Sequence, residues 1–367
     1  MRIKTIAAMV MLLAVSAACM MTTDEGCAAA PSIEVTDGLG NTFTFDKPVD
    51  KVISIGVGVT ATVIGVGALD KIVVCDNYSK KDKSPLFKDL QDLISKGKVA
   101  AGGNIYSSGK DQLWNDIINA ADPETGSFDR DTDVVLVTGS NTYRANIVPL
   151  LEDKGFKNVL QWNDIKDYDS LIGFAETISK ICRGEVIDEI RQMPYVRDTI
   201  NSRIESSGVQ KAKAFYVTYS SGNFKVGNTG SIATSMILAA GGDAVSVDPS
   251  QTATTYATNV TKLVEDNPGV VIFVDDVVVK DVGRMDELRK LVGDTTLVPL
   301  ESIWNNYCLE SMNGLWTIAS AMYPDLFEGD VPEIPEEKLD STVYIIAAVA
   351  VIAIVAVAAV FLMKRNA

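Results

Sequence analysis

The chain has 367 residues, with 48 acidic and 33 basic side chains and no histidine. The lack of histidine excludes Ser-His-Asp and Cys-His catalysis and the usual histidine-bearing zinc and copper sites. The acidic balance repels phosphate backbones, so we expect no nucleic-acid partner.

The remaining side chains do not form a catalytic constellation. The sequence shows no nucleophile paired with a base and no pair of carboxylates at a spacing typical of general acid–base work. We therefore predict that the protein is not an enzyme, has no catalytic residues, and carries neither a cofactor nor a metal ion of its own.

An apolar segment near the N-terminus, Thr5–Met21, follows the basic residues Arg2 and Lys4. Small residues at 28–30 then offer a cleavage site, which is typical of a secretory signal peptide. The sequence predicts a signal peptide over 1–30. The alternative is an uncleaved N-terminal anchor.

A second apolar segment spans 343–363, and its 21 residues are followed at once by Lys364 and Arg365. As a helix it would reach ~31 Å, enough to cross a bilayer. Basic residues after a span stay in the cytoplasm. The sequence predicts a transmembrane helix at 343–363, a cytoplasmic tail at 364–367, and an acidic, proline-containing stalk at 330–342. The protein would be a single-pass protein of the cell membrane.

The body between these segments is strongly acidic. Four basic residues lie in the two termini, so that residues 24–363 carry 29 basic and 48 acidic side chains, a net charge of −19. Such a charge suits a solvated extracellular body. About 300 residues are enough for a large core in one or two lobes.

The first half of the body alternates strand and helix patterns. Residues 33–35 and 43–45 alternate around a Gly-rich turn, which predicts a β-hairpin. Buried strands are predicted at 51–55, 71–75, 133–137 and 158–160, with a short helix ending at Gly67 and another over 143–154. This alternation favours a parallel α/β sheet.

Apolar residues recur at helical spacing from about 168 to 204, and Gly184 and Pro194 interrupt the pattern. The pattern predicts either one long kinked helix or two helices in tandem. Strand and helix patterns then resume between 212 and 298. The predicted fold class is α/β, with two Rossmann-like lobes at 31–165 and 207–329 joined by a long interlobe helix at 166–206.

A dinucleotide-binding pattern is present at Gly56–Ala61, after a predicted strand, with Asp76 twenty positions beyond Gly56. The helix that follows is short, because Gly67 ends it, and nicotinamide cofactors are scarce outside cells. We favour the interpretation that these small residues let the helix pack against the sheet and leave its N-terminal N–H groups facing a cleft.

Three cysteines, Cys75, Cys182 and Cys308, lie far apart in the body. Their odd number and wide spacing do not indicate a disulfide framework or a metal motif. The sequence predicts that they are buried as small hydrophobic side chains.

Seven short segments together resemble one family. The segments are 35–40, 51–56, 67–73, 133–136, 181–185, 267–272 and 322–327, and 181–185 resembles the start of that family's interlobe helix. In order and spacing they resemble the class III substrate-binding proteins of ABC importers, which carry iron-siderophores, haem and vitamin B12. The resemblance runs from about residue 32 to 328.

The resemblance implies two lobes, a rigid linking helix and a metal chelate held in the cleft between the lobes. It also implies an ABC importer permease and ATPase as partners, although no docking residue can be assigned on the sequence, and we expect a monomer. The alternative is a membrane-anchored cell-surface sensor or adhesion module on the same fold, without transport.

Ligands of open α/β sheets bind beyond the carboxyl ends of the strands. Nine side chains are predicted there or in nearby loops: Tyr78, Tyr106, Tyr143, Arg144, Trp162, Tyr219, Asn223, Trp304 and Asn305. Aromatic faces and one arginine suit a flat, anionic chelate. For each aromatic the alternative is core or rim packing. We expect Arg144 and Trp304 on opposite walls of one cleft.

Overall fold

The computed structural model of the chain describes residues 32–163, 165 and 167–334. The predicted signal peptide, most of the stalk, the transmembrane helix and the tail lie outside these residues. Among the described residues, no helix is both long and apolar enough to cross a bilayer. The described part has a mixed α/β fold with a separate sheet in each half.

The predicted hairpin is confirmed. Strands β1 (Ile33–Thr36) and β2 (Thr42–Phe45) pair antiparallel. The buried Asp37 carboxylate holds the turn, because it accepts hydrogen bonds from the backbone N–H groups of Leu39 and Asn41, both at 2.9 Å. It also accepts one from the Gln161 N–H at 3.1 Å, which ties the hairpin to the first sheet.

The first sheet is parallel, as predicted. It contains β3 (Val52–Ile55), β4 (Ile72–Cys75), β5 (Val134–Thr138) and β6 (Val159–Trp162), in the order β4-β3-β5-β6. These strands are almost entirely apolar because helices cover both faces of the sheet. The helices of this half are α1 (Val57–Gly65), α2 (Asn77–Lys81), α3 (Lys88–Ser95), α4 (Lys110–Ala120), α5 (Asn141–Arg144) and α6 (Val148–Asp153).

Two helices connect the halves, where the family resemblance implied one. They are α7 (Tyr168–Arg183) and α8 (Asp188–Ser207). Gly184 ends α7 in the left-handed conformation, with φ of 86°, which favours glycine at a helix C-terminus. Pro194 lies inside α8 and does not end it. The single interlobe helix is therefore wrong, and the tandem alternative is correct.

The second half is built on a mixed sheet. Its strands are β7 (Lys213–Ser220), β8 (Asn223–Gly227), β9 (Asp243–Ala244), β10 (Thr255–Tyr256), β11 (Val271–Asp275) and β12 (Leu297–Leu300). They lie in the order β10-β8-β7-β11-β12, with β9 also paired to β7. Its helices are α9 (Ile232–Ala239), α10 (Val260–Asp266), α11 (Asp276–Val279), α12 (Val282–Val292) and α13 (Ser311–Met322).

The β7–β8 hairpin was not predicted. Its turn residues Ser221 and Gly222 have φ of 53° and 80°, the backbone conformation of a tight two-residue hairpin turn. The sequence signal is weak because Ser-Gly is a less specific turn pair than Asn-Gly or Asp-Gly.

Buried apolar side chains form a central cluster that both halves share. The cluster includes Val52 and Ile72 of the first sheet, Phe174 of α7, and Tyr216 and Phe273 of the second sheet. The interior therefore continues from one half into the other, and the connecting helices are part of it.

The prediction for the three body cysteines is confirmed. Cys75, Cys182 and Cys308 are buried, with free thiols. Burial raises the pKa of each thiol, to about 12 for Cys182 and Cys308.

Candidate ligand-binding site

A cavity of about 300 Å³ lies where the two halves meet. Its first wall is formed by segments that follow β3, β4 and β5, together with the loop at 104–106. Its second wall is formed by Asn306 and Tyr307 of the second half. The cavity is therefore at the carboxyl ends of the first-half strands, where ligands of such sheets bind.

Three of the predicted aromatics, Tyr78, Tyr106 and Tyr143, meet in this cavity. The ring centroids of Tyr78 and Tyr106 are 5.5 Å apart and those of Tyr106 and Tyr143 are 4.4 Å apart, with interplanar angles of 84° and 77°. These three residues stay 47%, 36% and 40% exposed in that order, although their rings contact one another. The cluster can therefore offer ring surface and hydroxyl groups to a ligand.

Burial and the two neighbouring tyrosines raise the pKa of the Tyr106 phenol. The hydroxyl group therefore remains protonated at neutral pH and can donate a hydrogen bond. The backbone N–H of Tyr106 donates to the Asn104 side-chain oxygen at 2.8 Å, which fixes the loop that carries the ring.

Asp76 forms the floor of the site and explains its spacing from Gly56. Its carboxylate accepts hydrogen bonds from the backbone N–H groups of Gly56, Tyr78 and Ser79, at 2.5, 2.7 and 2.8 Å. It thus caps α2 and positions Tyr78. Burial raises the pKa of this carboxyl group, while the three N–H donors oppose the shift. The acidic residue of the dinucleotide-like pattern therefore makes its hydrogen bonds to the backbone of the protein itself.

The glycines of the same pattern allow close packing. A Cβ atom on Gly58 would lie 2.9 Å from Tyr307 Cβ, so only glycine lets α1 approach the second half this closely. The Thr62 hydroxyl of α1 donates to the Tyr307 carbonyl at 2.6 Å. The interpretation of the motif as a packing feature is consistent with these contacts.

Arg144 does not face the cavity, contrary to the expectation. It is buried, and its guanidinium donates to the Gly139 carbonyl at 2.9 Å and to the Gln161 side-chain oxygen at 2.6 Å, and also to the side-chain oxygens of Asn141 and Asn163. A short helix directly after β5 folds this side chain back over the strand ends. Arg144 therefore fixes the loops behind the site.

The two predicted tryptophans also lie away from the cavity. Trp162 is buried and packs edge-to-face on Phe174, with ring centroids 5.0 Å apart. Trp304 is half-buried and packs against the central cluster. For both residues the core-packing alternative is the correct one, and Trp304 does not form a wall opposite Arg144.

The other predicted second-half residues have structural surroundings. Tyr219 packs on Phe224 beneath the Arg284 guanidinium, which lies 4.4 Å from the Tyr219 ring centroid. Asn223 lies in the exposed β7–β8 hairpin. Asn305 points inward, where it accepts from the Ala233 N–H at 2.7 Å and donates to the Tyr216 hydroxyl at 3.0 Å.

Asn306 and Tyr307, which supply the second wall, were not predicted from the sequence. They directly follow Trp304 and Asn305, which were predicted. The sequence therefore indicated the segment that reaches the cavity, but it did not indicate which residues of that segment line it. A periodicity argument cannot separate these neighbours, because residues 302–305 form a 3-10 turn whose direction is set by packing.

A second cavity, of about 680 Å³, lies further along the same junction. It is bordered by residues 82–85 of the first half and by parts of 276–281 and 301–303 of the second. Charged side chains predominate there, and none of the described residues that line it is aromatic. Because ligand sites are usually lined by apolar and aromatic groups, the tyrosine cavity is the better candidate.

Neither a family model nor a curated protein matches the sequence. Solved structures do match. CeuE of Helicobacter pylori with nickel(II) bound is 17% identical, with 80% of this chain and 90% of that chain covered and a TM-score of 0.57. The vitamin B12 binding protein BtuF of Vibrio cholerae is 15% identical, with 75% and 97% covered and a TM-score of 0.51.

The periplasmic haem-binding protein RhuT of Roseiflexus sp. RS-1 is 14% identical, with 75% of this chain and 98% of that chain covered and a TM-score of 0.52. At such identities the likeness shows the fold, and it extends over nearly the full length of these proteins. The chain therefore has the fold of the class III periplasmic binding proteins, the family that its sequence resembles.

Proposed function

We propose that the chain is an extracytoplasmic solute-binding protein that holds a metal chelate in the tyrosine cavity and delivers it to an ABC importer permease. The observation that carries this proposal is the cluster of three exposed tyrosines at the carboxyl ends of the first-half strands, closed by Tyr307 of the other half. Solved proteins of the same fold include ones named for haem and vitamin B12 binding.

The cavity suits reversible binding better than catalysis. Its side chains offer ring faces, hydroxyl groups, one amide on each wall and a carboxylate that already accepts three N–H bonds. Such groups orient a ligand by contact and hydrogen bonding. A volume of about 300 Å³ is at the small end of ligand sites, so the cavity holds a compact ligand or one end of a larger one.

Chelate binding is tested by thermal unfolding of the full chain in detergent with ferric siderophores of different charge, haemin and corrinoids. A ligand at 100 times its dissociation constant should add ~2.7 kcal/mol to the free energy of unfolding. Tyr106→Leu should weaken binding of the stabilising chelate by about 2 kcal/mol, as expected for a central aromatic contact.

The matched control is Tyr219→Leu, which removes a tyrosine outside the cavity and should leave binding unchanged. If none of these chelates stabilises the parent, or if the two variants weaken binding equally, chelate binding in this cavity is wrong.

The membrane anchor belongs to the same proposal, and residues 343–363 support it by their length and apolar character. Protease added to intact cells should remove the body and leave a tag placed after residue 367 undigested, because the basic tail stays inside. Permeabilised cells provide the control, since there the tag should be digested. Loss of the tag from intact cells would contradict this topology.

A further inference from the structure

The charge that the described residues contribute to the lining of the tyrosine cavity is negative. Among the residues that the structure describes, no lysine or arginine lines it, and Asp76 contributes a carboxylate. Lys81 is exposed and is not part of the lining, and its ammonium nitrogen lies 5.9 Å from the Tyr78 ring centroid, at the outer limit of a cation–π contact. Arg144 lies behind the wall, with its guanidinium donating to oxygens of the surrounding loops.

The three rings adjoin one another along the cavity. Successive rings stand nearly perpendicular, at 84° and 77°, so that the edge of one ring meets the face of the next. The face of an aromatic ring carries partial negative charge and attracts a cation within about 6 Å of the centroid. An alkylated ammonium group or a metal complex with a low charge density gains the most binding free energy from such faces, because it loses little hydration when it enters the cavity.

We propose that the solute captured in this cavity carries a positive charge on the group held by Tyr78, Tyr106 and Tyr143. The chemical class is a compact, weakly hydrated cation, either an alkylated ammonium group or a cationic metal complex. This inference rests on the proposed function and specifies its substrate class. It replaces the expected anionic chelate, whose recognition required Arg144 in the cleft.

An anionic ligand would be poorly matched here. It would enter a partly desolvated space beside the Asp76 carboxylate without a lining cation to compensate, which is unfavourable in a medium less polar than water. The body also carries a net charge of −19 over residues 24–363. That charge concentrates cations near the surface and repels anions. Both the rate of encounter and the affinity are therefore expected to be higher for a cationic ligand.

The sign of the charge can be tested with two matched pairs of probes and the full chain. Choline is compared with its neutral carbon isostere 3,3-dimethyl-1-butanol, and the weakly hydrated cobaltocenium cation with its 1,1′-dicarboxylate, which carries a net negative charge. Isothermal titration at low salt should show binding of at least one cation. Each neutral or anionic counterpart should bind about tenfold more weakly or not at all, in line with the strength of desolvated cation–π contacts.

Two substitutions of Tyr106 separate the ring from its hydroxyl. Tyr106→Phe keeps the ring face and should retain cation binding within about threefold, whereas Tyr106→Leu should weaken it about tenfold or more. The choline and cobalt arms distinguish an organic cation from a metal complex as the source of the charge.

The inference is overturned if neither cation binds, if a neutral or anionic counterpart binds as well as its cation, or if leucine and phenylalanine at 106 have equal effects. Its failure is distinguishable from that of the proposed function. An anionic chelate that binds the parent and is lost in Tyr106→Leu would refute the charge assignment and leave chelate binding in place.

Discussion

Replacing Gly56 by alanine should lower the free energy of unfolding by about 3 kcal/mol or more. Gly56 has φ of 126° and ψ of 138°, a conformation in which residues with a Cβ atom are strained. A Cβ atom there would also lie 2.0 Å from the Thr138 side-chain oxygen, and so the buried Thr138 side chain or the adjoining ends of β3 and β5 would have to shift. Urea unfolding followed by tryptophan fluorescence measures the loss.

Gly67→Ala is the matched control for this substitution. Gly67 also has a positive φ, of 72°, but no heavy atom lies within 4 Å of the position of its Cβ. Only the backbone strain remains, and we expect a loss of about 1–2 kcal/mol. Equal losses in the two variants would show that contact with Thr138 does not limit residue 56.

Stability should fall steeply above pH 9 because of the buried thiols. Burial raises the pKa of Cys182 and Cys308 from 9.0 to about 12. Above pH 9 the unfolded thiols lose their protons while the folded thiols keep them, so rising pH favours the unfolded state. Each thiol then lowers the free energy of unfolding by about 1.4 kcal/mol per pH unit until its folded pKa is reached.

Below pH 9 these thiols are protonated in both states, and their contribution does not change. The experiment is urea unfolding at a series of pH values from 7 to 11 under reducing conditions. Cys308→Ala should start from a lower stability, because a buried side chain is shortened, and should then decline less steeply above pH 9 than the parent. The same decline in both proteins would show that the Cys308 thiol does not titrate as expected.

The elements that the sequence predicted well are those with a local cause. The β1–β2 hairpin has alternating residues on both sides of a Gly-rich turn, and the first-sheet strands are short apolar runs that require burial on both faces. The β7–β8 hairpin and the break at Gly184 were harder to predict. The hairpin depends on Ser221-Gly222, which is a weak turn signal in the sequence. At Gly184 the sequence allows either a kink within one helix or the end of a helix.

The candidate site was predicted in part for a related reason. The strand ends indicate which segments reach the cleft, and Tyr78, Tyr106 and Tyr143 lie in such segments. The direction of each side chain depends on contacts remote in sequence. Arg144 turns back because Gln161 and Asn163 of another segment offer oxygen acceptors. Tyr307 reaches the cavity because Gly58 of the other half leaves room for it.

The central apolar cluster that both halves share affects how a ligand leaves. Spreading the halves apart would expose part of this cluster to water, at about 25 cal/mol for each Å² of apolar surface. We therefore expect the empty protein to keep its two halves together, so that little of the affinity is spent on selecting a minor form. If the halves stay together, we expect a ligand to leave for solvent by rotation of the tyrosine side chains. The proposed delivery to a transporter would then require the transporter to supply the energy that separates Tyr307 from Thr62.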